Sequence, residues 1–205
     1  TESQANALLE ELKPGPWIVS DIEEKPRTSK PYPPFTTSTL QQEAGRKLRY
    51  TAKNTMRIAQ RLYEAGFITY MRTDSTHLSG EALNAARSDI DRLYGKEYLP
   101  SKPIQYATKV KNAQEAHEAI RPAGRVFTSM DTVSGALGDD ASKLYDLIWK
   151  RTMASQMVPA KIKQTTLFIS NQNALFRSRG KVILFPGYMR AYVEGKDDPK
   201  AKLAD

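Results

Sequence analysis

The chain has 205 residues, of which 40% are hydrophobic, so it can build one globular domain or two small ones. It contains no cysteine, which excludes disulfides and cysteine-ligated zinc, and it has no apolar run long enough to span a bilayer. The formal net charge of +8 favours polyanionic partners such as nucleic acid. The sequence starts at Thr1 without an initiator Met or an export signal. We therefore expect a cytoplasmic protein and a piece of a longer chain.

The first 66 residues predict an extended region followed by two helices. Residues 14–34 hold six of the twelve prolines, which indicates a linker interrupted by a short strand at residues 17–19. Thr36, Thr37 and Ser38 are candidate N-caps of a first helix, and Thr51 can cap a second one that ends near Gly66. We expect the break between them around Gly45 and Thr51. The spacing fits a helix-turn-helix, but spacing alone favours an ordinary helical hairpin.

The middle of the chain predicts further helices around one short strand. Residues 67–70 are rich in β-formers and predict a strand. Helical spacing marks residues 79–95, 113–120 and 139–156, the first of these opening at Ser79 and stopping at Gly95.

The last third predicts β-structure. Residues 161–170 alternate between polar and apolar, and residues 174–185 contain an apolar run, with a bend expected at Arg179-Gly180-Lys181. The change near Val158-Pro159 indicates a boundary between a helical body and a sheet. The fold class predicted is therefore α+β.

The densest group of reactive side chains follows the predicted strand at residues 67–70. In an extended segment Tyr70 and Arg72 share a face, because they are two residues apart. A phenol beside a guanidinium can attack a phosphate, since Arg offers a planar fork to phosphate oxygens and offsets the charge that builds there. The alternative is that Tyr70 packs at the end of the strand with its hydroxyl at the rim, which is the usual role of a tyrosine in that position.

A second group contains one of the two histidines. His117 and Arg121 are four residues apart, so a helix would carry both on one face as a phosphate grip. The alternative is a surface histidine paired with Glu118 or Arg121. Asp89 and Asp91 have a spacing that suits Mg²⁺, but they lie in a predicted helix whose Ile90 faces the core. No glycine-rich phosphate loop is present, so ATP binding is unsupported.

Five stretches, in this order along the chain, resemble the type IA DNA topoisomerases of bacteria. Together they span roughly residues 33–192, which is most of the chain. In chain order they resemble the entry to the catalytic-tyrosine domain, the active-site segment, the segment with a DNA-binding histidine, the helix that leaves the domain and a strand of the arch domain. In chain order they read PFTTSTLQQEA (34–44), FITYMRTDS (67–75), EAHEAIRP (115–122), LYDLIWKR (144–151) and GKVILFPGY (180–188).

The resemblance implies specific roles for residues of this chain. Tyr70 is expected to attack a backbone phosphodiester and to become linked to the 5′ phosphate of the broken strand. Arg72 is expected to position that phosphate, His117 and Arg121 to bind DNA, and Thr73 and Asp74 to contribute to the DNA-binding loop.

The resemblance also implies a domain arrangement. A mainly helical, helix-turn-helix-like tyrosine domain at residues 31–156 is expected between two pieces of a β-rich arch domain, residues 1–30 and 157–205. The implied partners are single-stranded DNA and an N-terminal metal-binding domain, which we do not find in this sequence. Mg²⁺ is expected to bind to that domain, and no metal is expected to bind to this chain. Neither ATP nor a membrane is an expected partner. The implied location is the cytoplasm, at the nucleoid.

Three other classes of protein fit parts of the sequence. One is a non-catalytic helix-turn-helix module that reads duplex DNA through Lys53, Asn54 and Arg57. A second is a tyrosine recombinase, but that class places its tyrosine after the His and Arg elements, whereas Tyr70 precedes them. The third is a purely structural interaction domain.

Overall fold

The computed structural model describes residues 1–106, 118–193 and 195. The chain forms two compact units. One consists of Thr1–Ser29 and Ala160–Phe185, and the other of Lys30–Pro159 with the chain from Pro186 onward. Helices and a three-stranded antiparallel sheet together confirm the α+β class.

The first unit combines one helix with the sheet. Helix α1 (Glu2–Leu12) begins at a capping box formed by Thr1 and Gln4. The strands β1 (Ile18–Ser29), β2 (Ala160–Asn171) and β3 (Ala174–Phe185) are antiparallel in the order β1-β2-β3. The Asn171 side chain donates a hydrogen bond to the Leu12 carbonyl at 2.8 Å, which joins the end of α1 to the β2–β3 turn.

Two expectations for the sheet unit were wrong. Much of the proline-rich region is not a linker, because residues 18–29 form β1 through pairing with β2, more than 130 residues away. Pro26 is tolerated because β1 is an edge strand. The bend expected at Gly180 is also absent. Gly180 pairs with Thr165 in unbroken register, and the irregularity lies instead opposite Lys161 and Ile162.

The second unit is helical. Its helices are α2 (Thr37–Leu48), α3 (Ala52–Glu64), α4 (Gly80–Tyr94), α5 (Met130–Leu137) and α6 (Asp139–Ser155). Thr36, Thr51 and Ser79 cap α2, α3 and α4, as the sequence predicts. Helix α6 contacts all four of the others and carries fully buried Leu144, Tyr145 and Ile148. It is therefore the centre of this core.

Three local predictions for this unit were wrong. Gly45 lies inside α2, and the break comes later, at Arg49, which adopts a left-handed conformation with φ 61°. Residues 67–70 are not a strand, because only Ile68 pairs, in a single bridge to Pro122. Of the helix predicted at residues 113–120, only 118–120 lie in the described part. These are extended, with Ile120 bridged to Phe35.

The chain beyond β3 returns to the helical unit. Gly187 has φ 51°, and a side chain there would lie 2.5 Å from the carbonyl oxygens of Val158 and Pro159. Tyr188 and Tyr192 are buried, and the Tyr192 hydroxyl donates to Glu43 at 2.6 Å. The compact units therefore differ from the predicted division, which keeps all of residues 157–205 with the sheet. Among the described residues, no helix has the length and apolar character needed to cross a membrane.

Candidate active site

The segment around Tyr70 is a loop in which exposure alternates from residue to residue. Tyr70, Arg72 and Asp74 are exposed, whereas the intervening Met71, Thr73 and Ser75 are buried. This is the two-residue period of an extended segment, so the sequence expectation that Tyr70 and Arg72 share a face agrees with the exposure pattern. The loop presents a phenol, a guanidinium and a carboxylate to solvent and is anchored through the residues between them.

Thr37, at the start of α2, anchors this loop. Its hydroxyl donates to the carbonyls of Met71 (2.8 Å) and Thr73 (3.1 Å) and accepts from the Thr73 amide at 2.8 Å. Its own amide donates to the Thr73 carbonyl at 2.9 Å. One side chain thus satisfies the backbone on both sides of Arg72. The sequence indicated this threonine only as a candidate cap, and no local pattern pointed to its contact 36 residues away.

We expect Thr37→Val to destabilise the helical unit. Valine keeps the shape but leaves the Met71 and Thr73 backbone groups without the hydroxyl, which costs about 1–3 kcal/mol in free energy of unfolding. Urea denaturation followed by the fluorescence of Trp149 on α6, in a Trp17→Phe background, measures this change. Ser38→Ala is the matched control, because the Ser38 hydroxyl contacts only Thr36 at the surface. Equal stability of the Thr37 and Ser38 variants would contradict the anchoring role.

Residues 118–123 pack along the other side of the loop. The Thr69 hydroxyl donates to the Ala119 carbonyl at 2.7 Å, and the amides of Thr69 and Ala123 donate to the carbonyls of Arg121 and Phe67. The Ile120 amide donates to Phe35, just before α2. This segment therefore joins the approach to α2 to the approach to Tyr70.

Arg121 is buried and serves this framework. Its guanidinium donates to both carboxylate oxygens of Glu118, at 2.7 and 3.2 Å, and to the Pro122 carbonyl at 2.8 Å. It also reaches the Ser79 hydroxyl that caps α4, at 3.3 Å. The expectation that Arg121 lies on a DNA-binding surface is thus not met, because its donors are directed to internal acceptors.

The Glu118 carboxylate is sensitive to pH. Burial raises its pKa, but hydrogen bonds from Arg121 and Ser79 outweigh burial and lower the pKa below its ordinary value of 4.5. The folded pKa lies below the unfolded one, so the interaction stabilises the fold fully above the unfolded value. This stabilisation is lost as pH falls through the folded pKa.

We therefore expect the helical unit to lose stability through this carboxylate as the pH falls below the ordinary pKa value of 4.5. Glu118→Gln should lower the urea midpoint at pH 7 and flatten its pH dependence, because the amide cannot ionise. Glu81→Gln is the control, since Glu81 pairs with Arg125 at 3.1 Å in an exposed position. If both variants keep the wild-type pH profile, the Glu118 interaction does not carry the effect.

The Tyr70 ring lies against a second tyrosine. The rings of Tyr63, on α3, and Tyr70 meet edge to face with centroids 5.3 Å apart. Tyr70 is 45% exposed and Tyr63 41%, so both hydroxyls can be reached by a ligand. Among the described residues the Tyr70 hydroxyl has no hydrogen-bond partner. No motif in the sequence pointed to Tyr63, although its position in a helix was predicted.

An open cleft of about 500 Å³ lies beside the loop. Its walls come from the first turns of α2 and from the loop residues after Tyr70, and its lining residues are Thr37, Ser38, Gln41, Arg72, Thr73 and Asp74. Arg72 and Asp74 bring opposite charges to it. Thr73 is buried, and its hydroxyl accepts from the Ser75 amide at 3.0 Å, so it shapes the loop rather than offering a DNA contact. Tyr70 is not among the residues that line the cleft.

The remaining site predictions concern a histidine and a metal. His117 lies outside the described residues, so its DNA-binding role stays a prediction. Asp89 pairs with Arg92 at 2.8 Å, and Ile90 between the two aspartates is fully buried, as expected. Within the described part of the chain, no group of three or more His, Cys, Asp or Glu side chains could hold a metal ion. These residues therefore do not fit a Mg²⁺ site.

Comparisons with known proteins identify the family of this chain. The model of a family described as DNA topoisomerase matches residues 1–205. DNA topoisomerase 1 of Synechococcus elongatus is 58% identical over 204 residues, covering 100% of this chain and 23% of that protein. DNA topoisomerase 1 of Mycobacterium tuberculosis (strain H37Rv) is 53% identical over 211 residues, with the same coverage. Full-length topoisomerase I from Thermotoga maritima has a similar structure, with a TM-score of 0.74 and 34% identity over 95% of this chain and 33% of that one.

The chain is α+β and presents an exposed tyrosine and an exposed arginine on one anchored loop. The chain belongs to the DNA topoisomerase family, whose model it matches over its whole length. It spans about a quarter of the curated relatives that it matches.

Proposed function

We propose that this chain is the part of a type IA topoisomerase that breaks and rejoins one DNA strand, with Tyr70 as the nucleophile. The observation that carries the proposal is the loop itself. Tyr70 and Arg72 are both exposed at alternate positions of a segment whose backbone is held by Thr37. A fixed backbone keeps the phenol of Tyr70 and the guanidinium of Arg72 at a constant relative position. A strand-breaking reaction requires such positioning of its reacting groups.

The reaction that fits Tyr70 is an exchange of phosphoesters. The phenol oxygen attacks the phosphorus and loses its proton, the bond from phosphorus to the 3′ oxygen breaks, and that oxygen leaves as a 3′ hydroxyl. The phosphate stays on the 5′ end of the other fragment, now bonded to Tyr70. The 3′ hydroxyl can reverse the step, because the phosphotyrosyl ester conserves the bond and no ATP is consumed. Passage of strands through the break then relaxes negative supercoils.

Arg72 supplies the positive charge for this step. An arginine two residues from the nucleophile can hold two oxygens of the scissile phosphate and offset the charge that develops on them. Asp74 lies on the same exposed side of the loop and shares the cleft with Arg72. We propose that Asp74 limits how deeply a second phosphate enters, because a carboxylate repels it. His117 is proposed to bind a neighbouring phosphate.

The proposed enzyme binds Mg²⁺ through residues that lie outside this chain. No set of ligands for it occurs among the described residues, and no step above passes through the metal. When bound, Mg²⁺ supplies charge stabilisation to phosphate chemistry. We expect the chain by itself to bind single-stranded DNA and not to relax supercoiled DNA. The remaining domains of the enzyme are its proposed partners.

A chimaera tests this function. The corresponding segment of the Synechococcus elongatus relative is replaced by this chain, which restores the other domains around it. The chimaera is incubated with Mg²⁺ and with single-stranded oligonucleotides labelled at the 5′ or the 3′ end, and is then trapped with denaturant. Label from the 3′-labelled strand should remain on the protein. Attachment of the 5′-labelled fragment instead would reverse the proposed polarity, and the parental enzyme serves as the positive control.

The second candidate is a duplex-reading helix-turn-helix module. Helices α2 and α3 are joined by only three residues, and Lys53 and Arg57 are exposed on α3. This function predicts sequence-specific binding of duplex DNA that is lost in Lys53→Ala and Arg57→Ala. A preference for single strands that these changes leave intact would exclude it.

A further inference from the structure

Three cations form a row on strand β3, in the sheet unit. Arg177, Arg179 and Lys181 are all exposed and lie two residues apart. Their side chains share one face of the sheet, because the register runs unbroken from Arg177, opposite Phe168, to Lys181, opposite Gln164. The straight passage through Gly180 keeps the row aligned.

The cations of this row differ from others in the same sheet. Lys163 on β2 pairs with Glu24 at 2.8 Å, and Lys25 on β1 pairs with Glu23. Within the described part of the chain, the side chains of Arg177, Arg179 and Lys181 have neither an ion-pair nor a hydrogen-bond partner. Three unpaired like charges at neighbouring positions repel one another. Because no acidic side chain among the described residues pairs with them, a bound anionic ligand would reduce this electrostatic repulsion.

The surroundings of the row are suited to an anion. The residues directly opposite on β2 are Phe168, Thr166 and Gln164, none of which is charged. The acidic residues of the three strands that share this face are Asp21 and Glu23 on β1, which lie one strand further away. Two strand spacings amount to about 9.6 Å, close to the Debye length at physiological salt, so these carboxylates neutralise the row only weakly.

We propose that this row binds the phosphodiester backbone of a single DNA strand, independently of base sequence and at a site separate from the Tyr70 loop. The cations repeat about every 6.8 Å along an extended strand, which offers successive phosphates one linear track. Two of the three are arginines, whose forks grip phosphate oxygens. DNA binding at this row does not require the reaction at Tyr70. The proposal can therefore be tested independently of the proposed function.

A protective role for the same residues makes a different prediction. Strand β3 is an edge of the sheet, and charged side chains on an edge strand hinder its pairing with other chains. In that case neutralising the row promotes self-association and leaves DNA binding unchanged.

The test is the salt dependence of binding. Fluorescence anisotropy with a labelled single-stranded oligonucleotide gives the slope of log K against log salt for the 205-residue chain. The triple variant Arg177→Gln, Arg179→Gln, Lys181→Gln should reduce this slope by about 2, since each phosphate contact on a single strand contributes about 0.7. Arg177→Lys with Arg179→Lys should keep it. Unfolding followed by Trp17, in a Trp149→Phe background, checks that the sheet unit stays folded.

A matched control separates the row from net charge. Lys96, Lys102 and Lys143 are exposed in the helical unit, and changing them to Gln removes the same charge without touching the sheet. The control should leave the slope within about 0.7 of wild type. An unchanged slope in the row variant, with or without self-association, overturns the proposal. An equal loss of slope in both triple variants overturns it as well.

Discussion

Replacing Tyr70 by phenylalanine is expected to abolish the covalent DNA adduct while leaving DNA binding intact. The change removes only the phenolic oxygen that the proposed reaction needs as nucleophile. The fold should not respond, because within the described residues the Tyr70 hydroxyl makes no hydrogen bond and the ring contact with Tyr63 is retained. Adduct yield on the 3′-labelled strand, in the chimaera with the Synechococcus elongatus enzyme, measures the effect.

Tyr63→Phe is the matched control for this experiment. Tyr63 is as exposed as Tyr70 and lies in contact with it, so a nucleophile chosen only by accessibility could be either residue. We expect Tyr63→Phe to form the adduct at the wild-type level. Adduct formation by Tyr70→Phe, or its loss in Tyr63→Phe alone, would move the nucleophile to α3 and refute the proposed function.

Replacing Arg72 by alanine is expected to slow adduct formation by about 10²–10³-fold. This is the usual effect of removing one preorganised donor from a developing negative charge. Arg72 is exposed beside the cleft and its backbone neighbours are held by Thr37, so the loss should be confined to the guanidinium. The rate of adduct formation is measured by single-turnover cleavage of a labelled oligonucleotide with the chimaera. The protein is present at a saturating concentration, so that a change in DNA affinity does not affect this rate.

Two further variants define what Arg72 contributes. Arg72→Lys should recover only part of the rate, because an ammonium keeps the charge but lacks the planar fork for two phosphate oxygens. Arg57→Ala removes an exposed arginine from α3 that is hydrogen-bonded to Asn54 at 2.8 Å, and it should leave the cleavage rate unchanged. A rate loss in Arg57→Ala equal to that in Arg72→Ala would indicate a general charge effect rather than a role at the reacting phosphate.

Local sequence signals determined where three of the helices begin. Thr36, Thr51 and Ser79 mark helix starts because a side-chain oxygen satisfies amides within three residues of itself, and no distant contact is needed. The predicted and observed bounds of strand β3 also agree. The exposed alternation of Tyr70 and Arg72 also followed from spacing alone, and the resemblance of FITYMRTDS to the topoisomerases directed attention to that loop.

Only the tertiary structure decided which residues hold the loop and which strands form the sheet. Thr37 meets the loop 36 residues away, β1 becomes a strand only by pairing with β2, and Arg121 turns inward because Glu118 and the Ser79 cap lie within its reach. None of these contacts leaves a periodic trace in the sequence. Those of Thr37, of β1 and of Arg121 with Ser79 each depend on the closure of a long loop. The residue types of the site were therefore set by the sequence, and their anchoring by the folded chain.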